Sequence, residues 1–187
     1  MAKISTYGVI PTPALLTDLV IGTDVNANNE TKNFELRQIL SLYPSTTTKG
    51  QYSSISSQSA SAINTATAID LPNIRFQNGM VATTSSLFTI NNSNTYLLNL
   101  SLNLTAVGTS TCTVFLKVNG TNVLWASKMT TIAGINNLSL SGAFAFSAGD
   151  TIQWFFSVDT ITTSLFFISS TGGIPDIPGA KFTLSQI

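Results

Sequence analysis

Strand-like alternation within residues 96–126 constrains this chain more than any other feature. Four leucines occupy every second position in its first run, with Asn and Ser between them: Leu98, Leu100, Leu102 and Leu104. A period of two is typical of a strand that is buried on one face. A second run, residues 113–118, follows and leads into Asn119-Gly120. The stretch therefore predicts antiparallel strands joined by a tight turn.

The turn also predicts a register for the hairpin that it closes. Asn-Gly favours a type I′ turn, because both central residues need a positive φ. A two-residue turn pairs Val118 with Thr121, Leu116 with Val123 and Val114 with Trp125, and brings Phe115 and Leu124 together on the other face. The hairpin is thus predicted to be apolar on both faces. One face can fill a core, and the other needs cover from elsewhere.

The composition indicates a strand-rich protein with little solvated charge. Apolar residues make up 43% of the chain and charged residues 9%, against a usual charged share of about 25%. The net charge of +0 gives no electrostatic basis for binding nucleic acid. So apolar a chain is expected to bury much of its surface against other chains.

The residues needed for common catalytic sites are scarce. The chain has no histidine and one cysteine, Cys112, which excludes His-dependent triads, an intrachain disulfide and a CxxC metal site. Cys112 is predicted to be a small buried strand residue. After residue 70 the only carboxylates are Asp150, Asp159 and Asp176. We predict a protein that is not an enzyme and holds no cofactor or metal.

The sequence contains no predicted membrane segment. The N-terminal residues lack the apolar core of a signal peptide, and no run approaches the roughly 18 apolar residues of a membrane span. We therefore expect synthesis in a cytoplasm and no membrane partner.

The two tryptophans of the chain, Trp125 and Trp154, fall on apolar faces of strands and are predicted to be core residues.

Residues 1–43 differ from the rest of the chain. Eight of the sixteen charged side chains lie before residue 50. One short helix is predicted there, with Asn33 as its cap, Glu35 in its first turn and Pro44 closing it. The segment is either a small subdomain packed on its own barrel or an adaptor that attaches to a larger assembly, and we favour the adaptor.

The remainder predicts an all-β sandwich or barrel. Residues 44–69 are expected to form a linker and a possible first strand, with a flexible stalk as the alternative. Residues 70–187 contain short strands separated by turn clusters. The predicted strands are 74–76, 87–90, 96–104, 112–118, 122–126, 138–146, 151–158, 161–168 and 181–187.

Four stretches of this C-terminal part occur in an order that resembles the tumour-necrosis-factor-like jelly roll. They are Thr95-Tyr96-Leu97-Leu98, Phe115-Leu116-Lys117-Val118-Asn119-Gly120, Phe146-Ser147-Ala148-Gly149-Asp150-Thr151-Ile152 and Ala180-Lys181-Phe182-Thr183-Leu184. Thr183 stands where the last strand of this family usually has glycine. The family includes the globular heads of complement and many viral fibre tips. The resemblance implies a jelly-roll sandwich of about ten antiparallel strands that forms a homotrimer.

The N-terminal segment resembles the head segment of tailed-phage appendage proteins. The similarity covers about 40 residues, including Asp18-Leu19-Val20-Ile21-Gly22-Thr23-Asp24 and Thr31-Lys32-Asn33-Phe34. It implies that this segment anchors the chain to a virion. The predicted anchor residues are Leu19, Val20, Ile21, Phe34, Leu36, Ile39, Leu40 and Tyr43.

Strands that are apolar on both faces predict contacts between subunits. A solvent-facing sheet should alternate cleanly between apolar and polar residues. The candidate trimer-interface residues are Phe115, Leu124, Phe155, Phe166 and Ile168. The alternative is that some of these side chains lie under loops of the same subunit.

Two classes of function are consistent with the sequence. The first is a bacteriophage virion structural protein, a trimeric head fibre, tail fibre or decoration protein, whose N-terminal segment binds the capsid, portal, neck or tail. The second is a carbohydrate-binding jelly-roll module or a receptor-binding fibre tip that recognises host surface glycans. A capsid subunit built on a single jelly roll is a third, weaker option, because the predicted adaptor argues against it.

Overall fold

The computed structural model describes residues 19–24, 30–35, 48–173 and 175–187. The chain divides into two compact units, Met1–Thr46 and Thr47–Ile187. Every regular element in the described residues is a β-strand. These strands are β1 (Leu19–Asp24), β2 (Glu30–Glu35), β3 (Lys49–Ser54), β4 (Gln58–Ser59), β5 (Thr67–Ala68), β6 (Asn73–Asn78), β7 (Met80–Ala82), β8 (Leu87–Ile90), β9 (Asn94–Ala106), β10 (Ser110–Val118), β11 (Asn122–Thr131), β12 (Gly134–Phe146), β13 (Thr151–Val158), β14 (Ser164–Leu165) and β15 (Ala180–Gln186).

The described part of the first unit is an antiparallel pair, β1 with β2, in which Val20 lies opposite Phe34. The predicted helix start is therefore wrong. Asn33 and Glu35, expected as the cap and the first turn, belong to β2 and pair with Ile21 and Leu19. Pairing with β1 satisfies backbone groups that the helix would have satisfied internally. The rest of the predicted helix, residues 36–43, lies outside the described residues.

The second unit is a sandwich of two antiparallel sheets. The six-stranded sheet has the order β11-β10-β13-β8-β7, and β5 also pairs with β13. The seven-stranded sheet has the order β4-β14-β9-β15-β3-β6, and β12 also pairs with β9. The predicted all-β jelly-roll sandwich is confirmed. The sheets include β3, β4 and β5, which lie in residues 44–69. For this stretch the sequence predicted a linker with a possible first strand, and a flexible stalk as the alternative.

The predicted alternation places the core between the sheets. In β9 the four alternating leucines are buried, and in β13 the buried set is Ile152, Trp154, Phe156 and Val158. Aromatic rings link the two sheets across the core. Phe88 of the six-stranded sheet lies 4.5 Å from Tyr52 and 5.5 Å from Phe182 of the other, and Trp154 lies 6.0 Å from Phe182, measured between ring centroids.

A hairpin turn forms at Asn119-Gly120 as predicted, but its loop has three residues instead of two, and the predicted register is wrong. Asn119 and Gly120 both have positive φ, 53° and 76°. However, Val118 pairs with Asn122, and the register shifts next to Leu116, which lies opposite Trp125 instead of Val123. Phe115 consequently lies opposite Ala126 rather than beside Leu124. A β-bulge of this kind adds one residue to one strand, and the added residue is Leu124.

The predicted strand over residues 161–168 is mostly absent. Only Ser164–Leu165 forms a strand, while Ile168 makes an isolated bridge to Ile177. The backbone between them finds other partners: the Phe166 amide donates to the Asn103 carbonyl at 2.8 Å, and the Phe167 amide donates to Ser57 Oγ at 3.1 Å. The Phe166 bond continues the pairing of β14 with β9 by one residue, and the Phe167 amide then turns to a side chain, so the regular ladder ends there.

The sandwich has two ends that differ in what they carry. At the near end the unit begins and finishes: the Gln186 amide donates to the Thr48 carbonyl at 2.8 Å, and the Ile187 amide donates to Thr95 at 3.1 Å. Strand β13 runs from this end to the far end. There the Asp159 amide donates to the Thr111 carbonyl at 3.1 Å.

Candidate self-association surfaces and a candidate ligand pocket

Two of the predicted interface residues meet on the outer face of the six-stranded sheet. Phe115 and Phe155 are opposite each other on β10 and β13, and their rings stack with centroids 5.5 Å apart and planes at 10°. The Lys117 ammonium lies 4.8 Å from the Phe155 centroid and 5.9 Å from that of Phe115, within the range of a cation–π contact. Both rings are half-buried, so the chain itself already covers part of them.

The other three predicted interface residues lie elsewhere. Leu124 is 43% exposed on β11, which is an edge strand of the same sheet. Phe166 and Ile168 are half-buried in the segment that follows β14, beside the seven-stranded sheet. The structure thus places the five residues in three separate regions. Their role in a trimer interface stays a prediction.

A larger apolar feature, which we call the seam, lies between the edge strands β11 and β12. Trp125, Met129, Leu138 and Phe144 are only partly buried there. The Trp125 ring lies 5.5 Å from Phe144 and 5.9 Å from the fully buried Trp154, measured between centroids. Trp154 is therefore a core residue as predicted, whereas Trp125 reaches the surface.

Gly142 makes room for the seam. A Cβ at this position would lie 2.8 Å from Phe144 Cε2 and 3.6 Å from Trp125 Cζ3. The sequence carried a signal for this feature, because Leu138, Leu140, Gly142, Phe144 and Phe146 alternate with small residues. The sequence did not indicate that β11 and β12 would be neighbouring edge strands of different sheets.

The outer face of the seven-stranded sheet has a different character. Its central positions are Asn99 and Ser101 on β9, Ser139 and Ser141 on β12, and Thr183 on β15. A shallow cavity of about 230 Å³ on this face is lined by Asn99, Ser101, Thr183 and Lys181. The face is therefore built from small polar side chains and carries little charge.

A polar pocket of about 110 Å³ lies at the far end, on the outer face of the six-stranded sheet. Thr113 stands opposite Lys128 on one side and Ser157 on the other, so that three polar side chains form a row across the strands. Thr111, Asp159 and Asn64 complete the polar lining of the pocket. Asn64 has a positive φ of 53°, and its amide donates to the Val158 carbonyl at 2.7 Å.

Asp159 is held in its charged form at the rim of this pocket. Its Oδ1 accepts hydrogen bonds from the Thr111 amide and from Ser110 Oγ, both at 2.8 Å. The Thr111 amide bond, followed by the Ser110 bond, lowers the pKa of this carboxyl below its usual value. The pocket therefore presents a carboxylate and the Lys128 ammonium together.

The buried titratable side chains belong to the core. Burial raises the pKa of the Cys112 thiol to about 11, with a smaller contribution from the Asp159 charge, and Cys112 is a buried strand residue as predicted. Burial also raises the pKa of Tyr52 to about 12. Both groups are uncharged at neutral pH.

Two kinds of feature are absent from the described residues. Nowhere in the described ranges do three or more His, Cys, Asp or Glu side chains come together as they would around a metal ion. Within the same ranges, no helix has the length and apolar character that crossing a membrane requires.

Four of the eight predicted anchor residues fall in the first unit's strand pair. Leu19, Val20 and Ile21 belong to β1, and Phe34 belongs to β2. The other four, Leu36, Ile39, Leu40 and Tyr43, lie outside the described residues. Their role as an anchor stays a prediction.

No protein-family model matches the sequence, and no curated protein is similar to it. Solved structures do resemble the fold. Murine APRIL at pH 8.0 aligns with a TM-score of 0.55 and 15% identity, and at pH 8.5 with 0.52 and 13%; each alignment covers 75% of this chain and 99% of that one. Eiger TNF from S. frugiperda aligns with a TM-score of 0.55 and 12% identity over 75% of this chain and 92% of its own. The described sandwich therefore has the tumour-necrosis-factor-like jelly-roll fold that its sequence resembles.

Proposed function

We propose that this chain is a non-enzymatic structural protein of a bacteriophage virion: a homotrimeric head fibre, tail fibre or decoration protein. The observation that carries the proposal is the division of the chain into a short N-terminal unit and a jelly roll with an incompletely covered apolar seam. The N-terminal unit, Met1–Thr46, would bind another virion protein. The jelly roll would assemble with two further copies.

The trimer contact is proposed between the seam of one copy and the outer face of the seven-stranded sheet of the next. Partly buried Trp125 and Phe144 leave apolar surface that association would remove from water. The small side chains at Asn99, Ser101 and Thr183 would let a neighbour approach closely. A contact between two different surfaces is heterologous, and such contacts close into rings when the rotation permits.

The oligomeric state of purified protein tests this part of the proposal. Light scattering should give the mass of three chains for the full chain and for a version that starts at Thr47. This start keeps Thr48, whose amide donates to Gln186 Oε1 and whose carbonyl accepts a hydrogen bond from the Gln186 amide. A monomer from both versions would contradict the trimer, and a trimer from the full chain alone would place assembly in the N-terminal unit.

Substitutions on the two outer faces locate the contact. Ser101→Arg should dissociate the trimer, because it places a charge in the proposed contact, whereas Thr113→Arg on the other sheet should leave three chains together. Phe155→Arg tests the interface predicted from sequence. Dissociation by Phe155→Arg with no effect of Ser101→Arg would move the contact to the face that carries Phe115 and Phe155.

The virion role requires a test on particles. Antibodies raised against the jelly-roll unit should label the surface of particles assembled from the genome that encodes this chain. Deleting residues 1–46 should abolish the labelling while purified protein remains trimeric. Unlabelled particles, with the full chain present during assembly, would contradict a virion role.

A second candidate function is recognition of a host surface glycan. The observation that favours it is the polar pocket at the far end of the sandwich, which contains both donors and acceptors of hydrogen bonds. The pocket lies at the end of the sandwich opposite to Thr48, which begins the described part of the second unit. The two candidate functions are compatible in one protein.

A further inference from the structure

We propose that the pocket formed by Asn64, Thr113, Lys128, Ser157 and Asp159 binds one neutral hexose ring at the end of a surface glycan. The proposal rests on the second candidate function, glycan recognition, and does not depend on the virion role or on the trimer.

The position of the pocket suits an external ligand. The second unit begins at the near end, where the Thr48 carbonyl accepts a hydrogen bond from the Gln186 amide. Asp159 follows the last residue of β13, at the other end of that strand. The pocket and Thr48 therefore lie at opposite ends of the sandwich.

The lining has the chemistry that a sugar requires. Every sugar hydroxyl both donates and accepts a hydrogen bond, so its site needs both kinds of group. The Asp159 carboxylate only accepts, the Lys128 ammonium only donates, and the Thr113 and Ser157 hydroxyls do both. In the described part of the chain, no hydrogen bond or ion pair engages the side chains of Thr113, Lys128 or Ser157, which leaves them available to a ligand.

The charges in the pocket favour a neutral sugar over an acidic one. Only eight charged side chains follow Lys49, and two of them with opposite sign line this single pocket. The carboxylate of an acidic sugar would be attracted by Lys128 but repelled by Asp159. The hydroxyls of a neutral ring can use both groups, because hydrogen bonds to charged partners are the stronger ones.

Apolar surface continues from the pocket along the strands. Phe115 and Phe155 lie two residues from Thr113 and Ser157 on the same face, about 7 Å away along each strand. Carbon-bound hydrogens on one side of a sugar ring pack favourably against aromatic side chains. A polar pocket with an aromatic neighbour therefore suits a carbohydrate better than it suits a fully hydrated ion.

Saturation-transfer NMR on the full chain tests the assignment. The probes are the methyl glycosides of glucose, galactose, mannose and N-acetylglucosamine, with glucuronic acid as the acidic comparison. We expect saturation transfer to at least one neutral glycoside. Thr113→Val and Lys128→Met should each weaken its binding by about tenfold or more, the effect of losing a hydrogen bond from a well-placed or charged donor.

Matched substitutions on the other sheet provide the control. Thr183→Val and Lys181→Met make the same chemical changes at the shallow cavity of the seven-stranded sheet and should leave binding unchanged. Thermal unfolding of each variant checks that the fold is intact. Asp159→Asn, which keeps the side-chain shape, should weaken binding by removing the charged acceptor.

Three outcomes would overturn the inference in distinguishable ways. If none of the neutral glycosides binds, both the pocket assignment and the glycan function fail. If a neutral glycoside binds but the pocket substitutions have no more effect than their controls, the sugar site lies elsewhere and glycan recognition stands. If only glucuronic acid binds, the site is selective for acidic sugars and the assignment to a neutral ring is wrong.

Discussion

The outer faces of the two sheets differ although the same alternation produces both. The six-stranded sheet has an aromatic pair beneath Lys117 and a pocket with two opposite charges. The seven-stranded sheet presents Asn, Ser and Thr at its centre. Inner positions are fixed by the need to fill one core, so only the outer positions are free to specialise. The difference teaches that function in this fold should be sought in outward-facing residues.

The largest expected effect tests whether inner positions alone carry the stability. Trp154→Ala should lower the free energy of unfolding by about 3–5 kcal/mol, because it empties the centre of the core. The adjacent outward-facing substitution, Phe155→Ala, removes a half-buried ring together with its contacts to Phe115 and Lys117, and should cost about 2 kcal/mol. Urea denaturation of both variants measures the contrast. Equal losses would mean that the outer aromatic pair is as structural as the core.

A second prediction concerns the seam that borders both faces. Gly142→Ala should destabilise the fold by about 1–3 kcal/mol, because the new methyl group displaces the Phe144 ring. Gly108→Ala is the matched control, since a Cβ there meets no atom within 4 Å. Thermal unfolding and light scattering would be measured on both. An unchanged Gly142→Ala variant would mean that the seam rings can move aside without cost.

A smaller effect separates the lysines of the two faces. Lys117→Met keeps the aliphatic stem but removes the charge over Phe155, and should cost about 0.5–1 kcal/mol of cation–π energy. Lys181→Met makes the same change on the seven-stranded sheet, where no ring lies beneath the ammonium among the described contacts. Its effect on unfolding should be close to zero. If Lys181→Met lowered the free energy of unfolding more than Lys117→Met does, the cation–π contact would not be what distinguishes the two lysines.

The smallest effect is the dependence of stability on Asp159. Its folded pKa lies below the ordinary value of 3.8, so its stabilising contribution is present above that value and is lost as the pH falls through the folded pKa. The melting temperature of Asp159→Asn should therefore be below that of the natural protein at neutral pH. The difference should shrink as the pH is lowered well below 3.8. A constant difference would show that the charge does not stabilise the fold.

Most strands could be predicted from the sequence, because burial on one face dictates their period. Residues 87–90 and 151–158 form strands with the predicted bounds. The bulge at Leu124 and the loss of the 161–168 strand could not be predicted, since both depend on partners distant in the chain, such as Asn103 and Ser57. Several predicted strands are apolar on both faces, and this pattern did not reveal which of them would form the edge of a sheet, as β11 does.

The candidate sites were less predictable than the fold. The sequence identified Phe115 and Phe155 as unusual outward-facing residues, and the structure pairs them. It did not indicate that Lys128 and Asp159, which lie 31 positions apart, would line one pocket. Such a cluster depends on sheet order, because β11 and β13 flank β10. Local patterns carry no information on that order.

The pairing of β3 with β15 also determines how the sandwich responds to mechanical load. Both ends of the unit emerge at the near end, so a pull between them would open the hydrogen bonds of β3 and β15 one after another. A pull between Thr48 and the residues of the far pocket would act along the strands. It would load the bonds of the ladders together, because they run perpendicular to the strands. A protein held at one end and pulled from the other is thus loaded in its more resistant direction.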